Sequence, residues 1–123
     1  MPVVNLKMNI KLNENQVKEL LTPIPEIFEK FMGKPASTVM STYSYSDMLL
    51  NNSFSSAAFI EVRNLSLYDI DVYKNISKCL LDVIKKTVTI DSDRIYINFL
   101  EVKDVQAWQF KDGEPISPCL NRK

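Results

Sequence analysis

The chain of 123 residues contains no histidine, and that absence removes more chemistry than any other feature of its composition. Ser-His-Asp and Cys-His nucleophilic schemes need an imidazole, as does every His-containing zinc site. Glycine is almost missing too, with Gly33 and Gly113 alone. Phosphate-cradling loops of the P-loop or dinucleotide type need several glycines close together, so neither fits. The two cysteines, Cys79 and Cys119, have no C-x-x-C spacing and read as thiols in a reducing compartment. Charge is balanced, 15 basic against 15 acidic residues, which leaves no electrostatic case for nucleic acid or an anionic membrane. Polar Asn5, Lys7, Asn9 and Lys11 interrupt the first apolar residues, so neither a leader segment nor membrane insertion is expected. Any general base must then be a carboxylate, tyrosine, cysteine, lysine or the chain's own amino group.

What is present has the makeup of an ordinary folding domain, 46% hydrophobic and 24% charged, at a length that suits one domain over residues 1–123. Val4, Leu6, Met8 and Ile10 alternate with Asn5, Lys7 and Asn9, the period-2 pattern of a strand with one covered face. Asn13 offers an N-cap, with Gln16 as its capping-box partner. Val17, Leu20, Leu21, Ile24, Ile27, Phe28 and Phe31 follow at helical spacing, and Pro23 and Pro25 inside that stripe should bend it. Gly33 suits the C-cap, Pro35 stops the helix, and Thr38 to Tyr45 reads as a second strand.

The order then repeats. Ala58, Ile60 and Val62 mark a third strand, and Asp69 or Asp71 caps a helix whose stripe runs from Val72 to Ile84. Arg94 to Val102 reads as a fourth strand, with Ile95, Ile97 and Phe99 on one face and Tyr96, Asn98 and Leu100 on the other. Helix starts and strand starts are both offset by 56 residues (69 − 13 and 94 − 38). The chain therefore reads as pseudo-repeats at about 2–45 and 57–102, with a divergent tail at 111–123. The fold class is α/β (α+β): two β-α-β units, each a parallel strand pair, making a four-stranded mixed sheet with both helices on one face. The other face, bare and with apolar residues of its own, is expected to be covered by self-association.

The sequence opens Met1-Pro2-Val3. Removal of the initiator methionine before a small residue would leave Pro2 as a secondary amine, its ring on the apolar side by parity with Val4 and Leu6. An α-amino group titrates near pKa ~8. Burial or a nearby cation lowers that value toward neutrality, where a base suits proton abstraction beside a carbonyl. On its own, Pro2 is equally a common second residue. Lys34 is equally a cation placed for a helix dipole, and Trp108 an ordinary buried aromatic. Tyr96 and Asn98 share a strand face and suit subunit packing as well as a site.

Pro2, the run Gly33-Lys34-Pro35, the run Asp93-Arg94-Ile95-Tyr96-Ile97-Asn98-Phe99 with Ser77-Lys78 upstream, and Trp108 occur in this order over about residues 2–110. The set resembles the macrophage migration inhibitory factor family of the tautomerase superfamily, which includes D-dopachrome tautomerase. The resemblance implies a homotrimer of the duplicated fold, with active sites between subunits and neither cofactor nor metal. It implies an isomerase of the phenylpyruvate or dopachrome tautomerase type, in which Pro2 moves a proton between carbon and oxygen of a small α-keto acid. Lys34 would bind the substrate carboxylate, Asn64 and Leu65 would line the pocket after the third strand, and Trp108 would wall it. Tyr96 and Asn98 would arrive from the neighbouring subunit. The same resemblance carries an alternative: a cytokine-like trimer that engages a cell-surface receptor, with weak or vestigial catalysis. It also implies a cytoplasmic protein and leaves open its secretion by a route needing no signal peptide. The chain departs from the family pattern in four features. A Phe-Gly-Gly-Ser turn before the third strand is here Asn51-Asn52-Ser53-Phe54, and a pocket tyrosine is here Thr38. The C-x-x-C positions of the mammalian cytokine are Ala57 and Ile60, which removes thiol-oxidoreductase chemistry, and the closing aromatic of the tail is missing or replaced by Phe110.

Overall fold

In the computed structural model, residues 2–65, 67–103 and 108–116 are described; Cys119 and the rest of the tail lie outside them. The first strand, β1 (Val3–Met8), follows its alternation, with Val4, Leu6 and Met8 buried and Lys7 exposed. Helix α1 (Glu14–Leu21) is closed at its start by reciprocal bonds: Gln16 N–H donates to Asn13 Oδ1 at 2.8 Å, and Asn13 N–H donates to Gln16 Oε1 at 3.0 Å. The single bent helix expected here is in fact two. Pro23 has no N–H for the ladder and clashes with the preceding turn, so α1 stops and the apolar stripe resumes as α2 (Ile24–Met32). Gly33 ends α2 at φ 71°, the left-handed conformation that a residue without Cβ adopts cheaply.

A 3-10 turn at Ala36–Thr38, closed by Thr38 Oγ1 donating to the Pro35 carbonyl at 2.7 Å, delays the second strand, which is β2 (Met40–Tyr45). Then come β3 (Ala58–Asn64), α3 (Ile70–Thr87), β4 (Ile95–Glu101) and a hairpin of β5 (Gln109–Lys111) and β6 (Glu114–Ile116). The main sheet has the order β2-β1-β3-β4, with β1 parallel to β2, antiparallel to β3, and β3 parallel to β4. Val4, Leu6, Met8, Ile60 and Val62 on one face are buried with Leu20, Ile24, Phe28, Ile76, Leu80 and Ile84 from the three helices. Among the described residues no helix is long and apolar enough to cross a membrane.

The other face is not a second apolar surface. Strand register lays three rows across it: Met40, Val3, Arg63 and Leu100; Thr42, Asn5, Glu61 and Asn98; Ser44, Lys7, Phe59 and Tyr96. The middle row is wholly polar, and Thr42 Oγ1 donates to Asn5 Oδ1 within it at 2.6 Å. Water can therefore wet this face, and the expected apolar demand for a cover is confined to its ends.

The glycine-free segment before β3 makes a tight turn all the same. Asn51 and Asn52 take φ 51° and 57°, and Leu50 and Ser53 exchange backbone bonds of 3.0 and 3.1 Å, a two-residue I′-type turn. Asparagine tolerates this region better than other residues with a Cβ. Arg94 then fastens the segment, its guanidinium donating to the carbonyls of Leu50, Ser53, Ser55 and Ser56 at 2.9 to 3.1 Å. Asn9 Nδ2 donates to the Phe54 and Ser55 carbonyls at 3.1 and 3.0 Å. Replacing Arg94 by Met should cost about 3 kcal/mol, because four carbonyls lose a charged donor. Asn52→Val should cost about 1–2 kcal/mol, and Asn52→Gly should cost nothing. Urea midpoints measure all three; equal midpoints for Val and Gly at 52 would contradict the left-handed turn.

Candidate active site

Pro2 stands at the head of β1, an inner strand, and is buried. On one side its carbonyl accepts from Met40 N–H at 3.1 Å. On the other, β1 pairs with β3 through Val3 and Arg63, and continuing that antiparallel register by one residue sets Pro2 across from Asn64. Pro2 borders a cleft of about 410 Å3 lined also by Val3, Thr38, Met40, Gln109, Phe110 and Lys111. A larger opening of about 540 Å3 lies in the seam of α1 and α3, where Lys18, Glu19, Thr22 and Lys86 contribute exposed side chains. It lacks any buried base, so the Pro2 cleft is the better candidate for chemistry.

The other residues singled out from the sequence fall into two groups. Lys34, Asn64, Leu65 and Trp108 gather around the head of β1 without lining that cleft. Lys34 is half-buried just beyond the Gly33 cap, four residues before Thr38. Asn64 ends β3 at 2% exposure, the one buried polar residue among the described residues, and Leu65 follows it half-buried. Trp108 is half-buried immediately before β5, and among the described residues no acceptor reaches its buried Nε1. Tyr96 and Asn98 are not brought to Pro2 within one chain. Asn98 is level with Asn5 across the sheet, which puts it about 10 Å along and about 10 Å across from Pro2. Tyr96 lies further along, lining a separate cleft with Met48, Leu49 and Phe59, and both side chains leave the face opposite the helices. Lys111 escaped the sequence reading. Asp112-Gly113, at φ 55° and 77°, is a hairpin signal that would have placed it on a strand beside Trp108.

A hydrogen-bond network, buried at Asn64 and open to solvent at Glu101, fixes the ground under Asn64. The Tyr73 hydroxyl donates to Glu101 Oε2 at 2.5 Å, while the Asn64 side chain and the Tyr68 backbone bond to the same hydroxyl. Val102 N–H donates to the Asn64 carbonyl at 2.8 Å, and Tyr68 Oη donates to the Met32 carbonyl at 3.4 Å. The ends of α2, β3 and β4 are thereby tied together around the head of β1. Among the described residues no group of three or more metal-ligating side chains occurs.

The duplicated β-α-β fold is shared with solved macrophage migration inhibitory factor homologues. The family profile described as macrophage migration inhibitory factor (MIF) matches residues 1–112, and this chain belongs to that family. Solved structures agree. Leishmania major MIF2 superposes with TM-score 0.84 at 21% identity, covering 94% of this chain and 97% of its own. Macrophage migration inhibitory factor of Toxoplasma gondii gives 0.83 at 23% identity, covering 89% and 96%. Pt0534, described as inactivated by 2-oxo-3-pentynoate, gives 0.81 at 14% identity, covering 92% and 94%. No curated protein sequence matches the chain.

Burial first, and the Glu101 bond second, raise the Tyr73 pKa above the ordinary 10.0, with the Asn64 bond opposing them. The fold thus favours the neutral phenol. The stability this supplies is complete below pH 10 and is lost as pH rises from there through the raised folded value. Above pH 10 the wild type should lose stability more steeply than Tyr73→Phe in denaturant titrations at stepped pH. Parallel slopes would show that Tyr73 ionises as freely folded as unfolded.

Proposed function

We propose that the chain is a cofactor-free keto–enol tautomerase of the phenylpyruvate or dopachrome type, with Pro2 as the general base. The observation that carries this reading is the position of Pro2, buried among backbone neighbours on both sides yet bordering a cleft. Once Met1 is removed, the ring nitrogen is a secondary amine with a lone pair. Burial removes the water that would stabilise its charged form, which favours the neutral base. The lone pair takes a proton from the carbon next to the keto group of an α-keto acid. The electrons of that C–H bond become the C=C bond, the carbonyl electrons move to oxygen, and oxygen receives a proton. The reverse passage is the same chemistry, and no electron carrier is needed. That Pt0534 is inactivated by an α-keto alkyne fits a nucleophilic or basic group at the same place in the fold.

The family resemblance adds Lys34 as the cation for the substrate carboxylate and Asn64, Leu65 and Trp108 as pocket residues beside Pro2, although none of the four lines the cleft within one chain. Tyr96 and Asn98 complete the site from a neighbouring subunit, since their own chain holds them on the far side of the sheet. That division of labour requires an oligomer, and the family resemblance makes it a homotrimer. Exposed Leu49, Phe54, Leu67 and Ile70, at 61 to 73% in the single chain, are suitable apolar contacts for it.

Pro2→Gly should lower phenylpyruvate enolisation by about 10²–10⁴-fold, the usual contribution of a positioned base. Retained Met1 should do the same, because an amide nitrogen has no available lone pair; intact-mass analysis identifies which form is assayed. Rates for Pro2→Gly equal to those of wild type would rule out the proline mechanism. Light scattering should give three times the 14.2 kDa chain mass, and a monomer would remove the shared site.

A further inference from the structure

We propose that Lys111 is a second anion-binding residue of the Pro2 cleft, and that the cleft selects α-keto acids carrying another carboxylate distal to the keto group. The inference rests on the tautomerase reading and names the substrate class within it. Lys111 lines the same cleft as Pro2, from β5, whereas Lys34, beyond the end of α2, is not among the lining residues. Among the described residues no carboxylate comes within ion-pair distance of Lys111, although Glu114 stands opposite it in the hairpin register. Lys111 is exposed, so its charge is open to a ligand anion as well as to water. Gln109, two residues before it and on the same strand face, lines the cleft as well.

The rest of the lining suits the carbon skeleton between two acid groups. Met40 and Phe110, 61% and 63% exposed, and Val3 form the apolar part of the cleft. A wholly apolar substrate tail would contact these three but would face the Lys111 ammonium without a partner for it. A distal carboxylate removes that mismatch. The cleft volume, about 410 Å3, is at the small end of ligand pockets, which favours short diacids over extended ones. Thr38 adds no competing anion site, because its hydroxyl is committed to the Pro35 carbonyl.

The test compares oxaloacetate with phenylpyruvate as substrates for enol–keto interconversion in wild type, Lys111→Gln, Lys111→Glu and Lys111→Arg. The ratio of kcat/KM for diacid over monoacid should fall about tenfold in Lys111→Gln, further in Lys111→Glu, and return in Lys111→Arg, with the change residing in KM. An unchanged ratio in Lys111→Gln would overturn the proposal, since the hairpin alone would then explain any loss. Calorimetry with 2-oxoglutarate and 2-oxohexanoate separates this idea from the proline mechanism. Lys111-dependent preference for 2-oxoglutarate in a chain without turnover would uphold the anion site while defeating the base. Turnover of phenylpyruvate with no such preference would defeat the anion site and leave the base standing.

Discussion

The whole arrangement depends on β1 being an inner strand from its first residue. Met40 N–H holds the Pro2 carbonyl from one side, and the register with β3 puts Asn64 on the other. A residue so near the start of a chain would ordinarily fray. Here it is flanked by backbone on both sides, and Val4, Leu6 and Met8 bury the strand that follows. The ring is thus held in place by secondary structure and needs no side-chain partner of its own. The network of Asn64, Tyr73 and Glu101 does for the β3 end what Met40 does for the β2 end, and it steadies the loop that follows Asn64.

That frame explains why residues of the same sequence run do different work. Arg94, in the 3-10 turn Ser92–Arg94 just before β4, turns to a loop of its own chain, while Tyr96 and Asn98, on β4, leave the face opposite the helices. The change from turn to strand separates a structural duty from an outward one within five residues. The polar middle row of the bare face has a related effect. Asn5, Thr42, Glu61 and Asn98 keep the centre of the sheet hydrated, so the apolar side chains of this face are confined to its ends. An assembly that meets at its rims can leave an aqueous centre.

Much of this was legible in the residues. The β1 alternation, the Asn13–Gln16 cap, the Gly33 stop and the split of Tyr96 from Ile95 and Ile97 each have a local cause, and each stands in the structure. The family motifs added the site. Less legible were features decided by partners distant in sequence. Asn51 and Asn52 look like lost glycines until their left-handed φ angles and the Arg94 clasp, about forty residues away, are seen together. Pro23 was readable as a fault in a helix but not as its end, because a bend and a break differ only in what packs against them. Lys111 was hidden by an unremarked Asp-Gly turn, and the cleft it lines joins β1, β2 and the hairpin, three elements that no local pattern connects.

The Arg94 clasp also has a consequence for synthesis. The last carbonyl it holds, that of Ser56, leaves the ribosome 38 residues before the arginine does. At about 5–20 residues per second, that interval lasts roughly 2–8 s. Throughout it the outer edge of β3 has no β4 to pair with, and its unsatisfied amides are an open template for other nascent chains. Glu61 and Arg63, charges on the bare face of that strand, are placed to discourage such pairing while the molecule waits for its second half.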